Sequence, residues 1–320
     1  MSDASRTEAS LPAGRELAGW IASCLADVPG ENALVLLGGT GRVSRRLKAQ
    51  GRQILAYDSS WSHHLFALAM LPDGRVEIGA DRLADWLRPP KDAVAGDRFG
   101  AWAGREFTRE EALWLEVWRS RILEADLPPR LAAKGAVAVM KVMSYWLAWN
   151  RDGLCHKPLP RGAVLRHCAD ELDRATPIPG TGCEARRAAL GAVLSPEACD
   201  LLYCYVPPAA GMNAMDRRLA FWERWVLGAP GAHLDFDIQG QLGGTLADDE
   251  DRASAVGRLL ERMVDIPTWS LAYSGQGDAI AVAVERFRPL TFRQEVSVPY
   301  PHGQGSTIMR EGLIVAKRAA

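Results

Sequence analysis

Three glycines, Gly38, Gly39 and Gly41, follow the apolar run Ala33-Leu34-Val35-Leu36-Leu37 and precede a helical stretch from Val43 to Ala49. Glycine allows a tight turn and a close approach of backbone to ligand, and the helix N-terminus behind it is locally electropositive. The next apolar run, Gln53-Ile54-Leu55-Ala56-Tyr57, ends on Asp58, 17 residues after Gly41. A carboxylate at that position can accept both hydroxyls of a ribose. Together the loop and the Asp point to a nucleoside-containing cofactor. No Gly-Lys-Ser/Thr follows the glycines, so this is not a Walker A loop. The bland alternative is a tight turn followed by a helix-capping Asp.

Other reactive side chains say less. Cysteines stand at 24, 155, 168, 183, 199 and 204, with no Cys-x-x-Cys pair. The neighbours Cys155-His156 and His167-Cys168, with Cys183, lack the two-to-four-residue ligand gaps that zinc prefers, and adjacent side chains diverge. No metal is expected. Reduced thiols and the lack of an export signal at Met1-Ser2-Asp3-Ala4-Ser5-Arg6 lead us to expect a cytoplasmic protein.

These groups need elements to hold them. The chain has 320 residues, enough for one large α/β domain with an insertion or for two domains. At 48% hydrophobic and 24% charged, a sizeable core is available and wholesale disorder is excluded. The net charge of −1 supplies no global attraction to nucleic-acid phosphates, which leaves only a local basic face for that role. The longest apolar stretch, Gly135 to Leu147, is interrupted by Lys141 and reads as a buried helix, not a membrane span.

The first twelve residues read as frayed, followed by a helix from Arg15 to Leu25 and then the βαβ unit around the glycine loop. From Leu87 to Pro196 the texture becomes helical. Thr108-Arg109-Glu110-Glu111 is a capping box, Trp114 and Trp118 follow at helical spacing, and a second helix covers Ala132 to Trp149. Trp114, Trp118, Trp146 and Trp222 read as packing residues. Asn150 to Gly182 reads as a loop-rich tract. Sheet texture returns at Leu201 to Val206, at Ala232 to Phe236 and at Thr268 to Tyr273, with helices over Arg217 to Leu227 and Ala253 to Met263. A closing hairpin sets Glu295 to Val298 against Gly312 to Lys317. The expected organisation is an α/β core of residues 1–88 and 196–320, with a helical, loop-rich insertion at 89–195 for substrate or target recognition.

Several segments together resemble the Dam-type DNA-adenine amino-methyltransferases, a family with a class I, Rossmann-like S-adenosylmethionine (SAM)-dependent methyltransferase core. Leu37-Gly38-Gly39-Thr40-Gly41 resembles their Phe-x-Gly-x-Gly SAM loop. Leu11-Pro12-Ala13-Gly14-Arg15 is similar to their Pro-Gly-Gly-Lys opening, and Asp58 to the Asn-Asp pair that ends their second strand. Asn150-Arg151-Asp152-Gly153-Leu154, with Pro160-Arg161-Gly162 behind it, resembles the tract that carries their target-recognition elements. Trp269-Ser270-Leu271-Ala272-Tyr273-Ser274 and Glu311-Gly312-Leu313-Ile314-Val315 resemble their later strands. The resemblance implies SAM bound by Pro12, Gly14, Arg15, Leu37, Gly38, Gly39, Thr40, Gly41, Asp58 and Ser59. It implies substrate contacts at Tyr273 and Ser274.

The chain departs from the family at the catalytic loop. In place of Asp-Pro-Pro-Tyr it carries Tyr205-Val206-Pro207-Pro208 after Tyr203-Cys204. The family's Asp and a neighbouring carbonyl orient the exocyclic amine, and its aromatic residue stacks on the base. Orienting an amine lone pair toward a methyl is a positioning task. Tyr205 can accept one hydrogen bond from an amine, Pro208 cannot stack, and no Asp lies between Leu201 and Pro208. The pair Pro207-Pro208 serves equally as a strand terminator. Arg15 keeps the charge of the family's Lys but not its geometry, and Val35-Leu36 stand where the family has Glu-Pro.

The resemblance implies methyl transfer to an amine of a nucleobase, with Tyr203, Cys204, Tyr205, Pro207 and Pro208 forming the catalytic floor. Two alternatives stay open. One is a repurposed SAM enzyme acting on a small molecule or on SAM itself; the other is an inactive, nucleic-acid-binding subunit beside a catalytic methyltransferase partner. DNA would meet the basic side chains Lys157, Arg161, Arg166, Arg186 and Arg187, which otherwise form a solvated surface.

Overall fold

The computed structural model describes residues 15–90, 98–150, 154, 156–174, 182–189, 192–193, 199–208, 213–231, 248–302 and 305–318. The chain divides into two compact units. The first comprises Met1–Ser59, Gly180–Ala214 and Phe236–Ala320, and the second Ser60–Pro179 and Met215–Asp235. The division therefore runs at Ser59/Ser60, ahead of the 88/89 boundary read from the sequence.

The first unit is built on a mixed seven-stranded sheet in the order β3-β2-β1-β4-β5-β7-β6. Its strands are β1 (Asn32–Leu36), β2 (Gln53–Asp58), β3 (Glu184–Arg187), β4 (Leu201–Val206), β5 (Thr268–Ser274), β6 (Leu290–His302) and β7 (Gly305–Lys317). The strands β3, β2, β1, β4 and β5 run parallel, and β7 is antiparallel to both β5 and β6. The protein is thus an α/β fold. The largely apolar runs at β1 and β4 suit strands buried on both faces.

Helices α1 (Arg15–Cys24) and α2 (Arg42–Ala49) belong to this unit. A buried Arg52 ties the turn between α1 and β1, donating to the carbonyls of Leu25 at 2.6 Å, Val28 at 2.7 Å and Gly30 at 2.9 Å. The later helices of the unit, which we number α9 (Asp249–Arg262) and α10 (Asp278–Glu285), lay Ala255, Val256, Leu259, Ile280 and Val284 against one face of the sheet. That face carries Leu34, Leu36, Leu202, Cys204, Trp269, Leu271 and Tyr273. Side chains alternate along a strand, so Asp58, Tyr203, Tyr205, Ser270 and Ser274 point to the opposite face.

The second unit is helical: α3 (Trp61–Met70), α4 (Ala80–Leu87), α5 (Arg109–Ile122), α6 (Pro129–Trp149), α7 (Arg161–Arg174) and α8 (Asn213–Leu227), the last of which begins two residues before the unit does. The capping box at Thr108 and Glu111 is present, with hydrogen bonds of 3.1 and 2.8 Å. Among the described residues α6 is the one helix long and apolar enough to cross a membrane, but most of it is buried within the unit. At Gly135 a Cβ would lie 2.6 Å from the Trp86 ring and 2.9 Å from Ile122. Glycine there lets α4 and α5 approach α6. Trp114, Trp118 and Trp146 are buried, with Trp118 and Trp146 stacked at 5.6 Å, so they pack as their spacing indicates.

Several expectations need correction. The tract Asn150 to Gly182 is not all loop: Arg161–Arg174 is a helix whose Val164, Leu165, Cys168, Ala169 and Leu172 face the core. Glu184–Arg187 belongs to the sheet as β3 and not to a helical insertion. The hairpin strands are longer than read, with Glu295 opposite Gly312 and Val298 opposite Met309. The strand expected at 232–236 lies outside the described residues.

Candidate functional site

The candidate site lies at the carboxyl ends of β1, β2, β4 and β5. Strand β1 pairs with β2 on one side and β4 on the other, so Tyr57, Leu36 and Cys204 share one row. Asp58 and Tyr205 each stand one residue beyond that row, on strands flanking the glycine loop.

The loop is a closed turn. Gly41 donates its N–H to the carbonyl of Gly38 at 3.0 Å, and Arg45 donates to the carbonyl of Gly41 at 2.9 Å. Gly39 and Gly41 have φ of 57° and 70°, the left-handed region that favours glycine. Leu37 also has positive φ, at 52°, which is costly for a bulky residue and marks a strained entry into the loop. Its N–H reaches the carbonyl of Tyr57 at 3.3 Å. A Cβ at Gly38 would lie 3.0 Å from Val35 and 3.2 Å from the Ser44 hydroxyl, whereas one at Gly39 would meet nothing within 4 Å among the described residues. Gly38 is therefore tightly packed, and Gly39 borders open space among the described residues. Gly41 has no side chain with which to cap the start of α2.

Asp58 is 5% exposed. Beside it, the Ser59 hydroxyl is buried with no hydrogen-bond partner among the described residues. The backbone here is fixed by β3: Ala188 donates to the carbonyl of Asp58 at 3.2 Å, and Arg187 to that of Ser59 at 3.3 Å. Pro12 and Gly14 lie outside the described residues. Arg15 opens α1, and Thr40 is half-buried in the loop.

On β4, Tyr203 and Cys204 are buried, while Tyr205, Pro207 and Pro208 are partly exposed. Burial, and secondarily the Asp58 carboxylate, push the Cys204 thiol up to about 12. Burial, the Cys204 thiol and the Glu311 carboxylate together hold the Tyr203 phenol well above its ordinary value. Both groups are neutral at physiological pH.

Tyr273, expected to contact substrate, is buried. Its hydroxyl donates to Glu295 at 2.7 Å. Its ring lies between two glycines, since a Cβ at either Gly277 or Gly312 would come within 2.1 Å of its Cζ. This is a wholly enclosed packing position, on the face of the sheet opposite Asp58 and Tyr205. Ser274, one residue on, faces the other way, and its carbonyl is held by the buried Arg252 at 2.7 Å.

The basic residues expected to meet DNA are divided. Lys157 is only 9% exposed and pairs with Glu111 at 2.6 Å. Arg161 pairs with Glu110 and sits 4.4 Å from the centre of the Trp114 ring. Arg186 pairs with Glu184 at 2.6 Å and donates to the Tyr57 hydroxyl at 3.1 Å. Arg166 is exposed. Lys157, Arg161 and Arg166 belong to the helical unit, and Arg186 and Arg187 to the sheet unit. Among the described residues no cluster of His, Cys, Asp and Glu is arranged to hold a metal ion.

Two further polar residues, Ser270 and Glu311, are buried on the face that carries Asp58 and Tyr205. Ser270 is buried on β5 in register with Tyr203, and Glu311 is 2% exposed on β7 directly opposite Ser274. The sequence signal for Glu311 is a charged residue placed against the apolar run Leu313-Ile314-Val315-Ala316.

No family model matches the chain, and no curated protein sequence matches it. Among solved structures the chain is similar to the X-ray structure of precorrin 8W decarboxylase from Methanobacterium thermoautotrophicum. The identity is 9%, over 97% of this chain and 92% of that one, with a TM-score of 0.29. A likeness at that level carries no argument about function.

Proposed function

We propose that this protein is a SAM-dependent transferase with a class I methyltransferase core, moving a methyl group to an amine. The observation that carries the reading is the place of the glycine loop. It follows β1, where the strand order reverses, with Asp58 closing the neighbouring strand. Ligands of open α/β sheets bind outside the carboxyl ends of the strands at such a switch point. The order β3-β2-β1-β4-β5-β7-β6, with β7 antiparallel, is that of class I methyltransferase cores and supports the same reading.

The residues present fit this cofactor. Among the described residues Gly39 borders open space, the start of α2 lacks a side-chain cap, and the Ser59 hydroxyl beside Asp58 is an orphaned buried polar atom. Gly38 to Gly41 and the first turn of α2 would hold the cofactor's carboxylate end. Asp58 would accept the ribose hydroxyls, with Ser59 beside it. When bound, SAM supplies an electrophilic methyl group. Tyr205 offers a phenol oxygen to an amine N–H, and Pro207-Pro208 end β4 so that the floor stays fixed. Transfer to DNA would also require base flipping. The helical unit takes the role of substrate or target recognition.

One observation favours an acceptor other than DNA. Lys157 and Arg161 are engaged with Glu111 and Glu110, which reduces the cation supply for phosphates. Mass spectrometry of the products from SAM, with and without unmethylated DNA, tests the proposal. Methylated adenine or cytosine amine supports the nucleobase reading. SAM consumption with unmodified DNA moves the acceptor to a small molecule or to SAM itself. Intact SAM in both arms contradicts a transferase and leaves a non-catalytic subunit.

A further inference from the structure

The turn after β4 has no carboxylate, yet a buried one stands two strands away. Glu311 on β7 is directly opposite Ser274 on β5, and both are buried, at 2% and 0% exposure. Directly opposed residues of an antiparallel pair have Cβ atoms about 5 Å apart on the same face. That face is the one Tyr203, Tyr205 and Asp58 share, because Tyr205 is in register with Ala272, and Ala272 with Leu313. Glu311 lies two residues from Leu313 along β7. Its Cα therefore stands about 10 Å across the sheet and about 7 Å along the strands from that of Tyr205. Glu311 is buried, so its carboxylate is held over the sheet and not out in solvent.

A second observation points to a ligand. The hydroxyl of Ser274, directly opposite Glu311, is buried with no hydrogen-bond partner among the described residues. Orphaned buried hydroxyls are costly, and in native proteins they are usually filled by water or ligand. Ser274 is also held in place: the buried Arg252 of α9 donates to its carbonyl at 2.7 Å and to that of Gln276 at 3.4 Å. A carboxylate with the Ser274 hydroxyl beside it is a receptor for an N–H-rich group, an amine or an amidine-like edge, and not for a phosphate.

We propose that Glu311 and Ser274 form an amine-binding pocket that positions the acceptor, taking over from the carboxylate missing after β4. This rests on the SAM-transferase reading above. Glu311 acts by accepting N–H hydrogen bonds, which leaves the nitrogen lone pair directed away from it.

Sinefungin tests the pocket without knowledge of the acceptor, because it carries an amine where SAM carries its methyl group. Its binding and that of S-adenosylhomocysteine, which has nothing there, are measured by calorimetry on the wild-type chain, Glu311→Gln and Ser274→Ala. The proposal expects the wild type to prefer sinefungin. Glu311→Gln should lose roughly tenfold or more of the sinefungin affinity, and Ser274→Ala a smaller factor, with S-adenosylhomocysteine unchanged in both. Equal sinefungin affinity in wild type and Glu311→Gln overturns the pocket while leaving SAM binding intact. Parallel losses for both ligands in both variants assign Glu311 and Ser274 a purely structural role and overturn it too. Failure of the wild type to bind either ligand removes the SAM reading itself, and the pocket with it.

Discussion

Gly41 donates its backbone N–H to the carbonyl of Gly38 at 3.0 Å, closing the loop between β1 and α2 on itself. The turn depends on left-handed backbone at Gly39 and Gly41, with φ of 57° and 70°. An alanine at Gly41 forces a Cβ into that region at a cost of about 1–2 kcal/mol. Gly39→Ala carries the same backbone cost but meets no neighbouring atom among the described residues, so its methyl projects into the open space of the loop. Both variants should lower the urea midpoint by similar amounts. Gly39→Ala should in addition weaken SAM binding, by an amount its stability loss does not explain. A Gly39→Ala protein that binds SAM as well as the wild type would show that the loop does not touch the ligand.

Tyr273 makes a separate prediction about packing. The ring is enclosed by Gly277 and Gly312 and its hydroxyl is given to Glu295. Removing the hydroxyl in Tyr273→Phe should cost about 1 kcal/mol of stability and leave SAM affinity unchanged. Gly312→Ala should cost about 3 kcal/mol, since the new Cβ would lie 2.1 Å from the enclosed ring and force it to move. Denaturant unfolding followed by tryptophan fluorescence reads both. A Gly312→Ala protein of wild-type stability would mean that the ring is free to move, and with it that Tyr273 can reach a ligand.

The buried Cys204 thiol predicts an alkaline weakness. Its folded value is pushed up to about 12 from an ordinary 9.0, by burial first and the Asp58 carboxylate second. A group whose folded value is raised contributes fully below its unfolded value, and that contribution is lost as pH rises toward the folded one. The window therefore opens near pH 9 and closes near pH 12. Between pH 9 and 10, before the tyrosines titrate in the unfolded chain, the urea midpoint should fall with pH. Burial also raises the Cys168 and Cys199 thiols, to about 11, so Cys204→Ala should reduce that slope without abolishing it, whatever its effect on absolute stability. An unaltered slope would place the titration elsewhere.

What was legible in the sequence follows from how local each signal is. The strand-loop-helix-strand from Asn32 to Asp58 could be read directly, because glycines and short apolar runs punctuate it within 27 residues. The capping box at Thr108 is equally local. Strand β3 was hidden because Glu184-Ala185-Arg186-Arg187 is a polar edge, held by pairing with β2 and not by apolar alternation. Helix α7 was hidden because charged side chains interleave its apolar face, and Pro and Gly crowd its start. Helix α3 is stabilised from far along the chain, where Glu223 accepts from Trp61 N–H at 2.7 Å, Ser62 N–H at 2.9 Å and the Ser60 hydroxyl at 2.9 Å. No window around Ser60 contains that carboxylate. The same holds for the site. The loop and Asp58 are sequence-local, but the enclosure of Tyr273 and the pairing of Glu311 with Ser274 exist only once β7 is inserted beside β5.

The most direct measurement is a calorimetric titration of SAM into the wild-type chain and into Asp58→Ala. The account predicts one site per chain in the wild type and an affinity at least roughly tenfold weaker in Asp58→Ala, because the ribose hydroxyls lose a charged acceptor. No heat of binding from the wild type at millimolar SAM, or equal affinity in the two proteins, would contradict it.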